Sequence, residues 1–149
     1  MKKILIVLAV VFLALTGCGK KPATIKCTLS NDLGYYKVES TYNINYTGKT
    51  VDSVETVEKA ISDNSTILDT LEKTLKESYE TANKKYGGYT IDIKKGENEV
   101  VFTVKIDYNK MDVEQFAKDE PALKAYVDGK KLTVEGLKAI YTAMGATCE

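Results

Sequence analysis

The sequence predicts an α+β fold, a mostly antiparallel sheet of about five strands with a long helix and C-terminal helices packed on one face. Three observations predict it. Residues 35–47 and 100–108 alternate apolar and polar side chains, the period of a half-buried strand. Residues 64–86 repeat Leu and Tyr at helical spacing. Two Gly-containing turns, Thr47-Gly48-Lys49 and Lys95-Gly96-Glu97-Asn98, each join a pair of strands into a hairpin.

The elements follow in order. Ile25 to Ser30 alternates, with Ile25, Cys27 and Leu29 on one face, so a first strand points Cys27 inward. Asn31-Asp32-Leu33-Gly34 is turn material. In the second strand Tyr36, Val38, Ser40, Tyr42, Ile44 and Tyr46 share the inner face, and Tyr35 falls on the polar face. Thr50 to Ile61 is ambiguous: its Thr and Val favour a strand, while Val54, Val57 and Ile61 also fit a helical face. The hairpin before it needs a partner, so a strand is expected. Leu68, Leu71, Leu75, Tyr79, Ala82 and Tyr86 form the stripe of the long helix, with Asn64 or Ser65 as its cap and Gly87-Gly88 as its stop. That stripe is expected to pack on the domain's own sheet rather than to form a coiled-coil seam.

Tyr89 to Ile93 and Val100 to Tyr108 make the second hairpin. Asp112 with Gln115 fits a capping box for a short helix, and Pro121 ends that helix or starts the next turn. Asp128-Gly129 is a turn. Thr133 caps a last helix with Val134, Leu137, Ile140, Tyr141 and Met144 inward, closed by Gly145 just before Cys148.

The start of the chain reads differently. Lys2 and Lys3 precede an apolar run, Ile4 to Leu15, that is too short for a bilayer-spanning helix of roughly 20 residues. Leu15-Thr16-Gly17-Cys18 ends it and resembles the bacterial lipobox. That resemblance implies cleavage between Gly17 and Cys18 and a diacylglyceryl group on the Cys18 sulfur, with acyl chains of the palmitate type. The expected organisation is a lipoprotein signal peptide at 1–17, lipidated Cys18 and a tether at 18–24, and a single α+β domain at 25–149. Two acyl chains hold a protein on a membrane where one is marginal. The expected location is the extracytoplasmic face of the cell membrane.

With Cys18 spent on lipid, Cys27 and Cys148 remain, one near each end of the mature chain. An exported compartment permits a bridge between them; two buried free thiols are the alternative.

Charge and chemistry narrow the function classes. The formal net charge is zero with 21 basic and 21 acidic residues, every basic one a Lys, and losing Lys2 and Lys3 leaves the rest slightly acidic. Nucleic acid is not an expected partner. There is no His, which removes the commonest general base, the usual nucleophile triads and most zinc sites. Asp107-Tyr108-Asn109-Lys110-Met111-Asp112 lacks the Gly and terminal Glu of a calcium loop. No metal and no cofactor are expected. Ten Tyr and no Trp is an unusual balance; most of these Tyr fall on inward positions, and Tyr35 is the exposed one that could stack on a ligand or pack locally.

The strand run Tyr42 to Tyr46, the segment Val100 to Val104, Lys131-Leu132-Thr133 leading into Leu137 to Ile140, Ala143-Met144-Gly145 and the lipobox together resemble the YehR-like small bacterial lipoproteins, a family of unknown function. The resemblance implies a fold and a location and carries no catalytic residues. The expected role is a binding or interaction domain at the cell surface, its partner an unknown protein or small molecule. A carboxylate-based hydrolase of cell-wall polymers is the alternative. It needs two acidic side chains across a cleft, about 5 Å apart if retaining and about 6.5–9.5 Å if inverting. A third reading makes the cleaved signal a peptide message.

Overall fold

The computed structural model describes residues 20–149. The expected signal peptide and Cys18 lie outside the described residues.

Period-two patterning becomes sheet as expected. Strand β1 is Pro22–Asp32, β2 Lys37–Thr47 and β3 Thr50–Ile61, followed by helix α1 at Ser65–Tyr86, then β4 Tyr89–Lys95 and β5 Glu99–Asp107. Helix α2 is Val113–Asp119, a 3-10 turn spans Pro121–Tyr126, and β6 Val127–Asp128 pairs with β7 Lys131–Leu132 in a small hairpin. Helix α3 is Val134–Ala143 and β8 is Thr147–Cys148. The main sheet has six strands, all antiparallel, in the order β4-β5-β3-β2-β1-β8.

The sixth strand is one more than the sequence predicts. β8 is two residues long and pairs Cys27 with Cys148 and Thr28 with Thr147. Two residues carry no readable period. Lys26 and Glu149 exchange both backbone hydrogen bonds, at 3.1 and 2.9 Å, which puts Cys27 and Cys148 at the adjacent non-hydrogen-bonded position. Cα atoms approach most closely there. The two cysteines are bonded, across a sequence separation of 121.

Four smaller differences have local causes. β1 begins at Pro22, so Pro22, Ala23 and Thr24 of the expected tether pair with Thr47, Tyr46 and Asn45. β2 begins at Lys37, and Tyr35 stands outside it, 64% exposed. Only half of the expected capping box forms: Asp112 Oδ1 accepts from Gln115 N–H, but the Gln115 side chain turns away to Asp119, and Asp112 N–H donates to the Tyr86 carbonyl. Met144 is 55% exposed rather than inward, because α3 ends at Ala143 and the chain turns away at Gly145 toward β8.

Both long helices start as the sequence predicts. Asn64 Oδ1 accepts from Thr66 N–H, and Thr133 Oγ1 from Gly136 N–H. Gly87 and Gly88 hold φ of 73° and 82°, a left-handed stop that turns α1 back into β4. The α1 stripe faces the sheet, with Leu68 fully buried and Leu71, Leu75 and Tyr79 packed on the apolar cluster Ala60, Val100, Phe102 and Val104. A second cluster, including Tyr42, Ile44, Val54, Leu137 and Tyr141, lies under α2, the 3-10 turn and α3. A register shift at Asn45/Tyr46 reverses the phase of β3 and brings Val51 into that cluster.

Gly136 lies in the first turn of α3, where the side chain of Tyr126 comes against the backbone. A Cβ there would run into Cβ of Tyr126, which cannot swing aside without moving the turn that carries it. Gly136→Ala is therefore expected to lose about 1–3 kcal/mol despite Ala's better helix propensity. Urea unfolding monitored by circular dichroism checks this; an unchanged or raised midpoint would contradict the contact.

Candidate binding valley between the helices

The described helices cover one face of the sheet, and the buried residues beneath them fall into two apolar clusters joined at the half-buried Tyr89 and Ile106. The positions between them are polar. On the inner face β2 places Ser40 and Tyr42, and β3 places Thr56 and Glu58. Register sets Ser40 opposite Glu58 and Tyr42 opposite Thr56; on the other side of β3, Glu58 faces Phe102 and Thr56 faces Val104. Ser40 and Thr56 are buried and Glu58 is half-buried.

Glu58 is the unusual member. Its neighbour Lys59 points to the opposite face and pairs with Glu99 at 2.6 Å. Among the described residues no Lys pairs with Glu58; its hydrogen bond is from Tyr79 Oη of α1, at 3.3 Å. Burial raises the Glu58 pKa above its ordinary value, and the Tyr79 bond offsets this in part. The Ser40 hydroxyl, on a residue only 3% exposed, meets no hydrogen-bond partner among the described residues. Buried polar atoms of this kind are few in native proteins, and each calls for a reason.

Aromatic rings wall the valley. Tyr42 stacks on Tyr141 of α3, centroids 4.2 Å apart and planes 21° from parallel. Tyr79 lies 6.4 Å from Tyr89. Burial pushes the Tyr89 hydroxyl up to about 12, and burial with the Glu58 charge raises Tyr79 further. Burial also raises Tyr42 and Tyr141. These phenols therefore stay protonated at neutral pH and keep their O–H donors.

Tyr89 and Tyr141 are also part of an open cleft of about 340 Å³ whose walls include Ile106, Phe116, Leu123 and Ile140. Asp119 fixes one end of this region by tying α2 to the end of α1. It accepts from Gln115, Lys85 and the Tyr86 hydroxyl, and these hold its carboxyl down to about 2. A larger hollow of about 480 Å³ is lined by Glu114, Lys118, Pro121 and Lys124 at α2 and the 3-10 turn. It has no aromatic side chain in its lining and no buried polar group, so the tyrosine valley is the better candidate.

Two solved structures share this arrangement of strands and helices. One is a protein from Streptococcus pneumoniae TIGR4, solved by NMR, with 20% identity over all of this chain and 96% of that one, at a TM-score of 0.54. The other is the NMR structure of Escherichia coli YehR, with 18% identity over 87% of this chain and 92% of that one, at a TM-score of 0.56. The fold is YehR-like. At these identities the likeness is one of fold alone. No family model and no curated protein matches the chain.

The structure treats the sequence-predicted positions unequally. Cys27 and Cys148 come together as a bond; Cys18 lies outside the described residues. Tyr35 packs edge-on against its neighbour Tyr36, centroids 5.1 Å apart, away from the valley. The Asp107 carboxylate is spent on its own turn, accepting from Asn109 N–H and pairing with Lys110. No motif in the sequence marks Glu58. The signal was there: once β3 is a strand, Val54, Thr56, Glu58 and Ala60 share the inner face, which makes Glu58 a charge in an otherwise buried row.

Proposed function

We propose that the mature chain, Cys18 to Glu149, is a lipid-anchored extracytoplasmic domain whose tyrosine valley binds a ligand without chemical turnover. The observation that carries the binding role is Glu58, a carboxylate turned toward the helices with no cation beside it. A half-buried charge that costs stability and has no charged partner is a candidate functional group. The anchor rests on the residue order Lys2-Lys3, apolar run, Leu15-Thr16-Gly17-Cys18. A disulfide in a chain of this size agrees with export. β1 begins four residues after Cys18, so an anchored domain would sit close to the membrane surface. The hydrolase alternative needs two acids across one cleft; Glu120 lines the cleft of about 340 Å³ but Glu58 is not part of that lining, so the two carboxylates do not share it.

Two measurements test this reading. Intact mass of the membrane-extracted protein is expected to show a diacylated Cys18 and no residues before it; Cys18→Ala should leave an unprocessed, non-acylated precursor. The valley is tested through Glu58→Gln. The Glu58 carboxyl has a higher pKa folded than unfolded, so its protonated form favours folding. That contribution is full below the unfolded value near 4.5 and is lost as pH rises through the folded value. At pH 7 the charge therefore costs stability. Gln is expected to raise the melting temperature at pH 7 and to leave it unchanged near pH 3, where both side chains are neutral. A lower melting temperature at pH 7 would make Glu58 a structural residue and remove the valley as the site.

A further inference from the structure

We propose that Glu58, Ser40 and Tyr79 form the recognition point for an organic ammonium group, whose apolar body lies along the tyrosine rings toward the cleft. This rests on the valley being the binding site and names the chemistry it takes. Three independent features of the site point to a cation that donates several hydrogen bonds.

The first is the anion. Glu58 carries a negative charge on the helix-covered face, and its one hydrogen bond comes from a neutral phenol. Its carboxylate has further acceptor positions open, and a carboxylate in a half-buried site gains most from a charged donor. The second is Ser40. It stands directly across the strand pair from Glu58 on the same face, and its buried Oγ makes no hydrogen bond of good geometry, although the Tyr42 phenol lies near enough for Ser40 to offset part of that phenol's raised pKa. An ammonium group has more than one N–H to give, so one such group between the two strands can serve both oxygens. A carboxylate or phosphate ligand would meet Glu58 as a like charge. A hydroxyl could bond Glu58, yet would leave its charge uncompensated. The third is the wall. Tyr79 bonds the acid, Tyr42 lies close enough for the Glu58 charge to raise its pKa and stacks on Tyr141, and aromatic faces attract ammonium groups within about 6 Å of the ring. Tyr141 and Tyr89 then continue into the cleft of about 340 Å³, whose walls are apolar apart from Glu120 and the tyrosine hydroxyls. The volume is at the small end for a ligand pocket, which fits a small amine and not a polymer. No bond is made or broken.

The test uses the mature chain with 2-phenylethylamine as probe and 2-phenylethanol as its neutral counterpart, followed by NMR of the backbone amides. The amine is expected to shift Ser40, Glu58 and their strand neighbours saturably, and to bind at least about tenfold more tightly than the alcohol, the value of one charge-assisted hydrogen bond. Glu58→Gln should remove that difference while leaving weak alcohol binding in place. Ser40→Ala should weaken the amine and spare the alcohol. Equal binding of amine and alcohol to the native chain would overturn the ammonium assignment and leave an apolar binding cleft standing. Absence of shifts with either probe would overturn the assignment too; combined with an unchanged melting temperature for Glu58→Gln at pH 7, it would remove the valley reading as well.

Discussion

Replacing Cys27 and Cys148 together with Ala, or reducing the bond, is expected to lower the melting temperature by about 10 °C or more, corresponding to roughly 2–5 kcal/mol. The bond closes a loop across a sequence separation of 121, nearly the whole domain. In the chain-entropy account a loop of that length is worth about 4–5 kcal/mol through the unfolded chain, before any strain is subtracted. The folded side of the balance matters as well. β8 is two residues long and is held to β1 by the Lys26–Glu149 backbone pair and its short register, too little to keep a chain end in place. Without the bond β8 should fray, and the short stretch of β1 that it covers joins the rest of that strand as open edge with unpaired N–H and C=O groups. The effect therefore has two readouts. Circular dichroism melts with and without reductant give the stability loss. Hydrogen exchange should show Thr147 to Glu149 losing protection while β3 and β5 keep theirs in the native state. Coincident melts in the two conditions would mean that the bond contributes nothing and that the helical layer alone holds the C-terminus.

The same bond shows where sequence reading reaches its limit. Cys27 was legible as an inward residue because Ile25, Cys27 and Leu29 alternate, and it is fully buried. Its pairing with Cys148 was legible only from compartment and count, since a two-residue strand has no period of its own. Long runs were easy for the opposite reason. The eleven residues of β2 and the 22 of α1 each repeat their pattern several times, so propensity and burial agree. The order of strands was out of reach: β5 inserts between β3 and β4, a pairing made across the length of α1. Glu58 fell between these cases. Charge made it read as surface, and only the phase of β3, itself uncertain between strand and helix, puts it inward. Local composition and tertiary placement conflict at that residue, as they do at sites kept for function.

Phe102 and Glu58 stand opposite each other on β5 and β3, and their substitutions are expected to act with opposite sign. Phe102 is the largest of the fully buried side chains, in the cluster under α1 with Leu68, Val100 and Val104. Phe102→Ala removes a ring from beneath a helix whose own fully buried residue is Leu68 alone. The expected loss is about 3–5 kcal/mol, from transfer of the ring and from the cavity it leaves. Urea unfolding should show the midpoint falling with little change in slope. The neighbours are also coupled. Glu58 has its raised pKa because its surroundings exclude water, and the Phe102 ring is part of those surroundings. A cavity beside a carboxylate is polar on one side and roomy enough to admit water, which would solvate the charge. The gain from Glu58→Gln at pH 7 should then shrink in the Phe102→Ala background, a coupling that a double-mutant cycle reads directly. Strict additivity would place the cost of the Glu58 charge elsewhere, in its contact with Tyr79 and Ser40 rather than in the dryness of the sheet around it.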